Sequence, residues 1–240
     1  MSIVEKLTNE LGRAIVAGEF PPGSVLPNEA GLSSSGGVGR GAVREAVRML
    51  QAKGMIESRP KRGTTVLPQC NWQMYDRDVQ VWMRASTPTQ ALLAELLEIR
   101  SASEPMAAAL AAGRGKPEAL AMIDRAFRRM EKALLGRDDP YDADLAFHIA
   151  ILEASDNRFL AGLAPLIGTS LLFSFRITNA MRGDRVGDLV AHSRVADAIR
   201  NREEKRAEKA MRALLLDVAR TIKALEPQAS AKAKTEGGKE

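Results

Sequence analysis

The sequence contains few of the residues that build disulfide scaffolds, zinc knuckles or aromatic cores. Its 240 residues include one cysteine, and aromatic residues make up 4%. One cysteine excludes a disulfide-stapled fold and a cysteine-rich zinc module, and it is typical of a reducing compartment. Histidine is also scarce, with two residues in the chain.

Long apolar runs are absent as well. No stretch reaches the roughly 18 apolar residues that a membrane-spanning helix needs. The first residues include Glu5 and Glu10 and lack the apolar centre of a signal peptide. We therefore expect a cytoplasmic protein with no membrane partner.

The charge balance is only mildly basic. Lysine and arginine number 35 against 30 aspartate and glutamate residues, for a net charge of +5. This balance is compatible with a nucleic-acid partner but does not require one. At roughly 150 residues per domain, the length predicts one or two domains.

Residues 1–68 are predicted to form three helices followed by a hairpin. Apolar residues recur every four positions from Ile3 to Ile15, which predicts an amphipathic helix over 3–17. A short second helix opens at Pro27–Glu29 and runs to Leu32, and the serine-rich stretch 33–37 is expected to be loose because its helix propensity is low. A third helix covers 39–53. Short strands are predicted at 55–58 and 64–67.

Basic residues are concentrated on the third helix and on the hairpin tip. Arg40, Arg44 and Arg48 follow one another at intervals of four, and Lys61 and Arg62 precede Gly63 at the tip. Guanidinium groups on one helix face can read guanine edges or hold phosphates in the major groove of DNA. A solvated, charged helix face explains the same spacing, and charge alone leaves both interpretations open.

Beyond residue 68 the pattern is almost entirely helical. We expect a linker over 69–87 with a short helix at 78–84, and Thr87–Pro88 is a helix start signal. An all-α bundle of six or seven helices follows over 88–225, and the tail 226–240 is expected to be disordered. The predicted bundle helices are 88–112, 116–135, 140–154, 157–179, 188–200 and 203–225.

The N-terminal region resembles the winged helix-turn-helix regulators of the GntR family. The resemblance lies in Gly18, Pro22–Gly23, Leu26–Pro27, Glu29, Val38, Arg40, Val43–Ala46, Leu50, Lys53–Gly54, Ile56 and Arg62–Thr64. It implies binding to double-stranded DNA as a homodimer. Arg40 and Arg44 match its base-reading and phosphate-contacting arginines, Arg48 supports the DNA backbone, and Lys61, Arg62 and Gly63 match its wing. Two positions depart from the pattern. Gly39 stands where the family usually has a serine or threonine, and Ala30 stands where it often has an arginine.

Both histidines fall in the predicted bundle. Asp144 precedes His148 by four residues, so both project from one helix face, and His192 lies on a later helix. A carboxylate and two imidazoles from separate helices form a reasonable divalent-metal site. The alternative is that His148 is a hydrogen-bonded core histidine and that Asp144 is a surface acid.

The bundle resembles the FCD ligand-sensing domain of the same family. The resemblance lies in Asp144, Phe147–His148, Ser155, Asn157, Leu160, His192, Ala198–Ile199, Arg100 and Glu104–Pro105. It implies a divalent metal, zinc above all, held by an aspartate and three histidines. Asp144, His148 and His192 match three of those positions, and Leu214 stands at the fourth.

The resemblance also implies a small carboxylate effector. The metal and an arginine of an early helix, here Arg100, would hold its carboxylate; a salt bridge from Arg100 to Glu104 or Glu98 is the alternative. Thr178 and Asn179 are candidates to bind effector hydroxyls, and Arg176 and Arg220 are weaker candidates for its charge. The linker motif Asn71–Trp72, Arg77–Val79 and Trp82 resembles members of the family that respond to sugar acids.

These patterns predict a mainly α protein, with a winged helix-turn-helix and a small hairpin wing followed by an antiparallel helical bundle. The predicted function is a ligand-responsive transcriptional regulator, a repressor, that binds a pseudo-palindromic operator and senses a small carboxylate, specifically a sugar acid. One alternative is a metal-dependent hydrolase or other enzyme built on the bundle, although neither H-E-x-x-H nor G-x-S-x-G occurs and we expect no catalytic residue. Another is an architectural DNA-binding protein with a purely structural bundle.

Overall fold

A computed structural model describes residues 1–182 and 188–224, without the side chains of 35–36, 178–182 and 224. The chain divides into two compact units, Met1–Pro88 and Thr89–Glu240. The first unit combines helices with a two-stranded sheet, and the described part of the second is helical. The predicted tail 226–240 lies outside the described residues.

Three helices form the first unit's scaffold: α1 (Ile3–Val16), α2 (Glu29–Gly36) and α3 (Arg40–Ala52). A capping box starts α1, because the Ser2 hydroxyl accepts from the Glu5 N–H and the Glu5 carboxylate accepts from the Ser2 N–H. The predicted apolar stripe is buried from Leu7 to Ile15, where α1 packs against α3, whereas Ile3 at the start of the helix is exposed. The core of this unit includes Leu7, Leu11, Ile15, Val43, Ala46 and Leu50.

The prediction that residues 33–37 are loose is wrong. Instead α2 continues to Gly36, because Asn28 caps its start and Gly37 ends it in the left-handed conformation with φ of 60°. The hydroxyl of Ser34 donates to the carbonyl of Gly31 at 2.9 Å. These local hydrogen bonds and caps outweigh the low helix propensity of the serine run.

The hairpin consists of β1 (Ile56–Arg59) and β2 (Gly63–Val66). The strands are antiparallel, with Ile56 opposite Val66 and Arg59 opposite Gly63. At the tip, Lys61 and Gly63 both adopt positive φ angles of 64° and 80°. This tight turn projects the basic side chains of the tip into solvent, where Lys61 and Arg62 are exposed.

The segment after the hairpin packs onto α1. A 3-10 turn at Gln69–Asn71 is followed by α4 (Arg77–Arg84). The indole of Trp82 is buried and donates to Asn9 Oδ1 at 2.7 Å. A Cβ added at Gly12 would lie 2.5 Å from the Trp82 ring, so this close packing requires glycine. The ammonium of Lys53 lies 2.8 Å from carboxylate oxygens of Asp76 and Asp78, at the start of α4.

The second unit is a bundle of seven described helices, and its longest members are the antiparallel neighbours α5 and α11. The helices are α5 (Gln90–Arg114), α6 (Pro117–Leu134), α7 (Pro140–Ala154), α8 (Arg158–Ala161), α9 (Ala164–Arg182), α10 (Leu189–Arg200) and α11 (Glu204–Ala224). α5 packs against α7, α9, α10 and α11. Its small side chains Ala107, Ala108, Ala111 and Ala112 are fully buried in the core.

Two predicted boundaries in the bundle are wrong. Thr89 rather than Thr87 caps α5, since its hydroxyl accepts from the Leu92 N–H at 3.2 Å. The predicted helix 157–179 is two helices, because α8 ends at Ala161 with Gly162 as its C-cap, and a new helix starts at Ala164 with Pro165 in its first turn. Among the described residues, no helix is both long and apolar enough to cross a membrane.

Candidate functional site

Five polar side chains meet inside the bundle. Arg100 and Glu104 come from α5, Asp144 and His148 from α7, and His192 from α10. Both pairs on one helix are four residues apart, so each pair projects from the same face. All but Asp144, whose side chain is 20% exposed, are almost fully buried. A buried cluster of ionisable groups is costly unless its members compensate one another or a ligand does.

The predicted metal ligands lie together. Asp144 Oδ1 is 3.0 Å from His192 Nε2 and 3.7 Å from His148 Nε2. One ligand atom from each of the three residues lies within 4.8 Å of the others. Two imidazole nitrogens and a carboxylate oxygen are the ligand types that zinc and related divalent ions take.

Outer contacts orient both imidazoles. His192 Nδ1 donates to the Asp188 carbonyl at 2.7 Å. A carbonyl only accepts, so in the neutral ring the proton is on Nδ1 and the Nε2 lone pair faces Asp144. His148 Nδ1 donates to the Glu104 carboxylate. This arrangement leaves the Nε2 lone pair of His192 without a partner and that of His148 facing the cluster, where Arg100 Nη2 lies 3.4 Å away. A Nδ1 atom held by a carboxylate or a carbonyl is the outer-shell pattern of metal-binding histidines.

Three polar atoms of the cluster lack a hydrogen-bond partner among the described residues. They are Arg100 Nη1, Asp144 Oδ1 and His192 Nε2, and all three are buried. The last two lie close together but without hydrogen-bond alignment. Two acceptors that face each other in a buried site require a cation or a proton between them. The residues present therefore fit a metal ion, and the free Arg100 N–H fits an anionic ligand beside it.

The electrostatics of the cluster follow from these contacts. Burial raises the pKa of Asp144, but the adjacent His192 and the nearby charges of His148 and Arg100 outweigh it and lower this pKa to about 2. For Glu104 burial is likewise outweighed, by Arg100 and His148, and its pKa is also lowered to about 2. Burial lowers the pKa of His192, and Asp144 raises it by more. Both carboxylates are thus charged at neutral pH.

Glu104 has a larger role than the sequence indicated. The salt bridge from Arg100 is present, with Nε 2.5 Å from Glu104 Oε1. The second carboxylate oxygen accepts from His148, and Arg100 Nη2 lies 3.4 Å from His148 Nε2. From the sequence, this first contact is one alternative to an effector contact, together with a salt bridge from Arg100 to Glu98. Sequence reasoning missed the second because it depends on how α5 and α7 pack.

The other effector candidates are not part of this cluster as described. Arg220 lies on the surface, 77% exposed, and pairs with Asp217 at 3.3 Å. The Arg176 side chain is exposed as well. The side chains of Thr178 and Asn179 lie outside the described residues. Leu214 is 4% exposed and belongs to the apolar core, so it offers no ligand atom.

The basic residues of the first unit form a second candidate site, on the surface. Arg44 pairs with Glu29 at 2.9 Å, and Arg48 pairs with Glu45 at 3.5 Å. Arg40, Lys61 and Arg62 are exposed and have no ion-pair partner among the described residues. The residue before α3, Gly39, has no side chain to cap the first N–H groups of the helix. The N–H groups and arginines of α3 therefore face solvent, where an anionic partner can reach them.

Comparison with known families gives both units a match. Residues 3–66 match the bacterial regulatory proteins of the gntR family, and residues 95–217 match the FCD domain. The chain belongs to the GntR family. It is a transcriptional regulator with a DNA-binding winged helix and an FCD domain, and it is not an enzyme.

Individual relatives of this GntR-family regulator span nearly its whole length. An uncharacterized HTH-type regulator of Escherichia coli, YieP, is 36% identical over 87% of this chain and 90% of its own. The galactonate operon transcriptional repressor of Escherichia coli is 32% identical, over 91% of this chain and 96% of its own. The structure of Lar of Listeria monocytogenes has a TM-score of 0.63 at 19% identity, over 94% of this chain and 98% of that one, and shows the shared fold.

Proposed function

We propose that this regulator is a repressor that binds its operator as a homodimer and releases it when the bundle binds a sugar acid. The buried cluster carries this proposal. An arginine with a free buried N–H beside three convergent metal ligands can hold a carboxylate from two sides. The likeness to a galactonate operon repressor supports a polyhydroxy acid as the class of effector.

In this proposal Asp144, His148 and His192 hold a divalent ion, with zinc as the first candidate. Because Leu214 supplies no fourth ligand, the ion keeps coordination positions that effector oxygens can fill. The ion supplies fixed positive charge at the cluster. A 2-hydroxy acid suits such a site, since its carboxylate and hydroxyl oxygens can bind together while Arg100 donates to the carboxylate.

On the DNA side, we assign Arg40 and Arg44 to base edges and phosphates and Arg48 to the backbone. Lys61, Arg62 and Gly63 contact the backbone or the adjacent minor groove. A homodimer presents two such surfaces to the half-sites of a pseudo-palindrome. Light scattering of the free chain tests the dimer. An effector that favours the non-binding state by about 1–3 kcal/mol is sufficient for induction.

Calorimetry tests the sensing function. Chain stripped of metal with a chelator is titrated with zinc and then with galactonate. We expect zinc to bind, and galactonate to bind only the zinc-loaded chain. The variant D144N should lose both. D142N, two residues away on the same helix and exposed, is the matched control and should bind as wild type.

A failure of every acid to bind would contradict the sensing function. If neither galactonate nor any other acid in a panel of aldonates and hydroxy acids binds with zinc present, the bundle is not a carboxylate sensor. The chain is then a DNA-binding protein whose bundle is structural. Gel shifts with the DNA upstream of its own gene show DNA binding independently of that outcome.

A further inference from the structure

Glu104 places a fixed negative charge inside the candidate effector site. Its carboxylate is 1% exposed and shares its two oxygens between Arg100 and His148. The Arg100 guanidinium is therefore already matched by a carboxylate of its own helix, while its Nη1 still has no partner among the described residues. Arg100 can donate a hydrogen bond to a ligand, but its positive charge is already balanced by the carboxylate of Glu104.

The charges of the described cluster can be counted. Arg100 contributes one positive charge, and Glu104 and Asp144 contribute one negative charge each. A divalent ion on Asp144 and two neutral imidazoles would leave the cluster with a single positive charge. One carboxylate neutralises it. A second carboxylate buried at the same site would have no counter-charge, and uncompensated buried charge strongly opposes binding.

We propose that Glu104 makes this site selective for effectors with one negative charge, so that it binds monocarboxylates and rejects the matching dicarboxylates. The inference rests on the proposed sensing function and specifies its ligand class. Aldonic acids fit, whereas aldaric acids, in which the terminal alcohol is a second carboxylate, do not. Glu104 acts here as a specificity-determining and positioning residue, since it sets the charge of the site and orients His148.

Two pairs of acids test the proposal, because the members of each differ only by a terminal alcohol or carboxylate. They are galactonate with galactarate, and glycerate with tartronate. Each acid is titrated by calorimetry into the zinc-loaded full chain, in a buffer with free zinc that accounts for chelation by the acid. For whichever pair fits the site, we expect the wild type to bind the monocarboxylate at least tenfold more tightly.

The variant E104Q keeps the side-chain shape but leaves the Arg100 charge unmatched. We expect its preference for the monocarboxylate to fall at least tenfold or to reverse. E98Q, an exposed position on the same helix, should keep the wild-type preference. Zinc titration of E104Q provides a readout independent of the acids, and we expect roughly 10–100-fold weaker zinc binding because His148 loses its charged partner.

The outcomes separate the two proposals. Equal binding of both members of a pair by the wild type overturns the charge selectivity but keeps carboxylate sensing. An unchanged preference in folded E104Q shows that Glu104 does not set it. Absence of binding by all four acids and by the wider panel of aldonates and hydroxy acids overturns the sensing function and the selectivity with it. If circular dichroism shows that E104Q is unfolded, E104D, which keeps the charge, should keep the preference, and its loss there contradicts the proposal.

Discussion

Two arginine–glutamate pairs show how differently the two units use the same chemistry. Arg44 and Glu29 meet at 2.9 Å on the surface of the winged unit, with side chains 63% and 46% exposed. Arg100 and Glu104 meet at 2.5 Å inside the bundle, with both side chains 1% exposed. Water screens the first pair, so an incoming phosphate or base can replace Glu29 at little cost. The second pair is shielded from water, so separating its two charges would be costly.

Burial, rather than residue type, separates the arginine that we assign to DNA from the one that we assign to the effector. Both pairs are salt bridges, and both arginines were candidate ligand contacts from the sequence. The surface pair is suited to exchange partners. The buried pair is suited to remain and to orient its neighbour His148.

Replacing Arg100 should lower the free energy of unfolding far more than replacing Arg44. R100M leaves the Glu104 charge buried without its partner, and we expect a loss of about 3–5 kcal/mol in the free energy of unfolding. R44M disrupts only the exposed pair and should change this free energy by less than about 1 kcal/mol. Urea denaturation of the metal-free chain measures both. Similar losses for the two variants would contradict the contrast.

The effect on DNA should run the other way. We expect R40A and R44A each to weaken operator binding by about 1–3 kcal/mol, because a base-reading guanidinium is lost, while the fold stays intact. D144N should bind operator as the wild type does when no effector is present. Fluorescence anisotropy with a labelled fragment of the upstream DNA measures these affinities. A loss of operator binding in folded D144N equal to that in R44A would show that the two sites are not separate.

Acid should lower the stability of the fold by protonating the two carboxylates of the buried cluster. The pKa of Glu104 falls from 4.5 to about 2 on folding, and that of Asp144 falls from 3.8 to about 2. Carboxylates with lowered pKa values stabilise the fold above their unfolded values and lose that contribution as pH falls through the folded values. The metal-free chain should therefore lose stability between pH 4.5 and about 2, and E104Q should lose less. Parallel stability curves for the two proteins would show that Glu104 contributes nothing to this loss.

The smallest expected effect is in the salt dependence of operator binding. Gly39 and Ala30 carry no side chain that can hold a phosphate, so fewer counterions are released than in family members with a hydroxyl residue and an arginine there. We expect a plot of log affinity against log salt to be shallower than about −8. G39S should steepen the slope by restoring a hydroxyl beside the phosphates. A wild-type slope of about −8 or steeper would contradict this account.

Much of the fold follows from local sequence signals. The four-residue spacing in α1 and the Asp139–Pro140 start of α7 are strong local signals, and both helices form there. The errors arise where local signals compete. The serine run of α2 became helical through Asn28 and Gly37, and Gly162 with Pro165 divides a helix that the apolar pattern left continuous.

Only part of the candidate site could be predicted from the sequence. Asp144, His148, His192 and Arg100 carry recognisable spacing and family motifs, and the structure brings these four together. The contact between Glu104 and His148 joins residues 44 positions apart, so no local pattern encodes it. Arg220 was a candidate because its helix has an apolar face, but the side chain itself points to solvent.

Operator affinity measured with and without zinc and galactonate shows whether the buried cluster controls DNA binding. Anisotropy titrations of the full chain on upstream DNA would use the metal-free chain, each addition alone, and both together. We predict that galactonate weakens DNA binding by about 5–150-fold when zinc is present and has no effect on the metal-free chain or on D144N. Operator affinity that stays the same in every combination, for galactonate and for each acid that calorimetry shows to bind, would contradict the claim that this buried centre controls DNA binding.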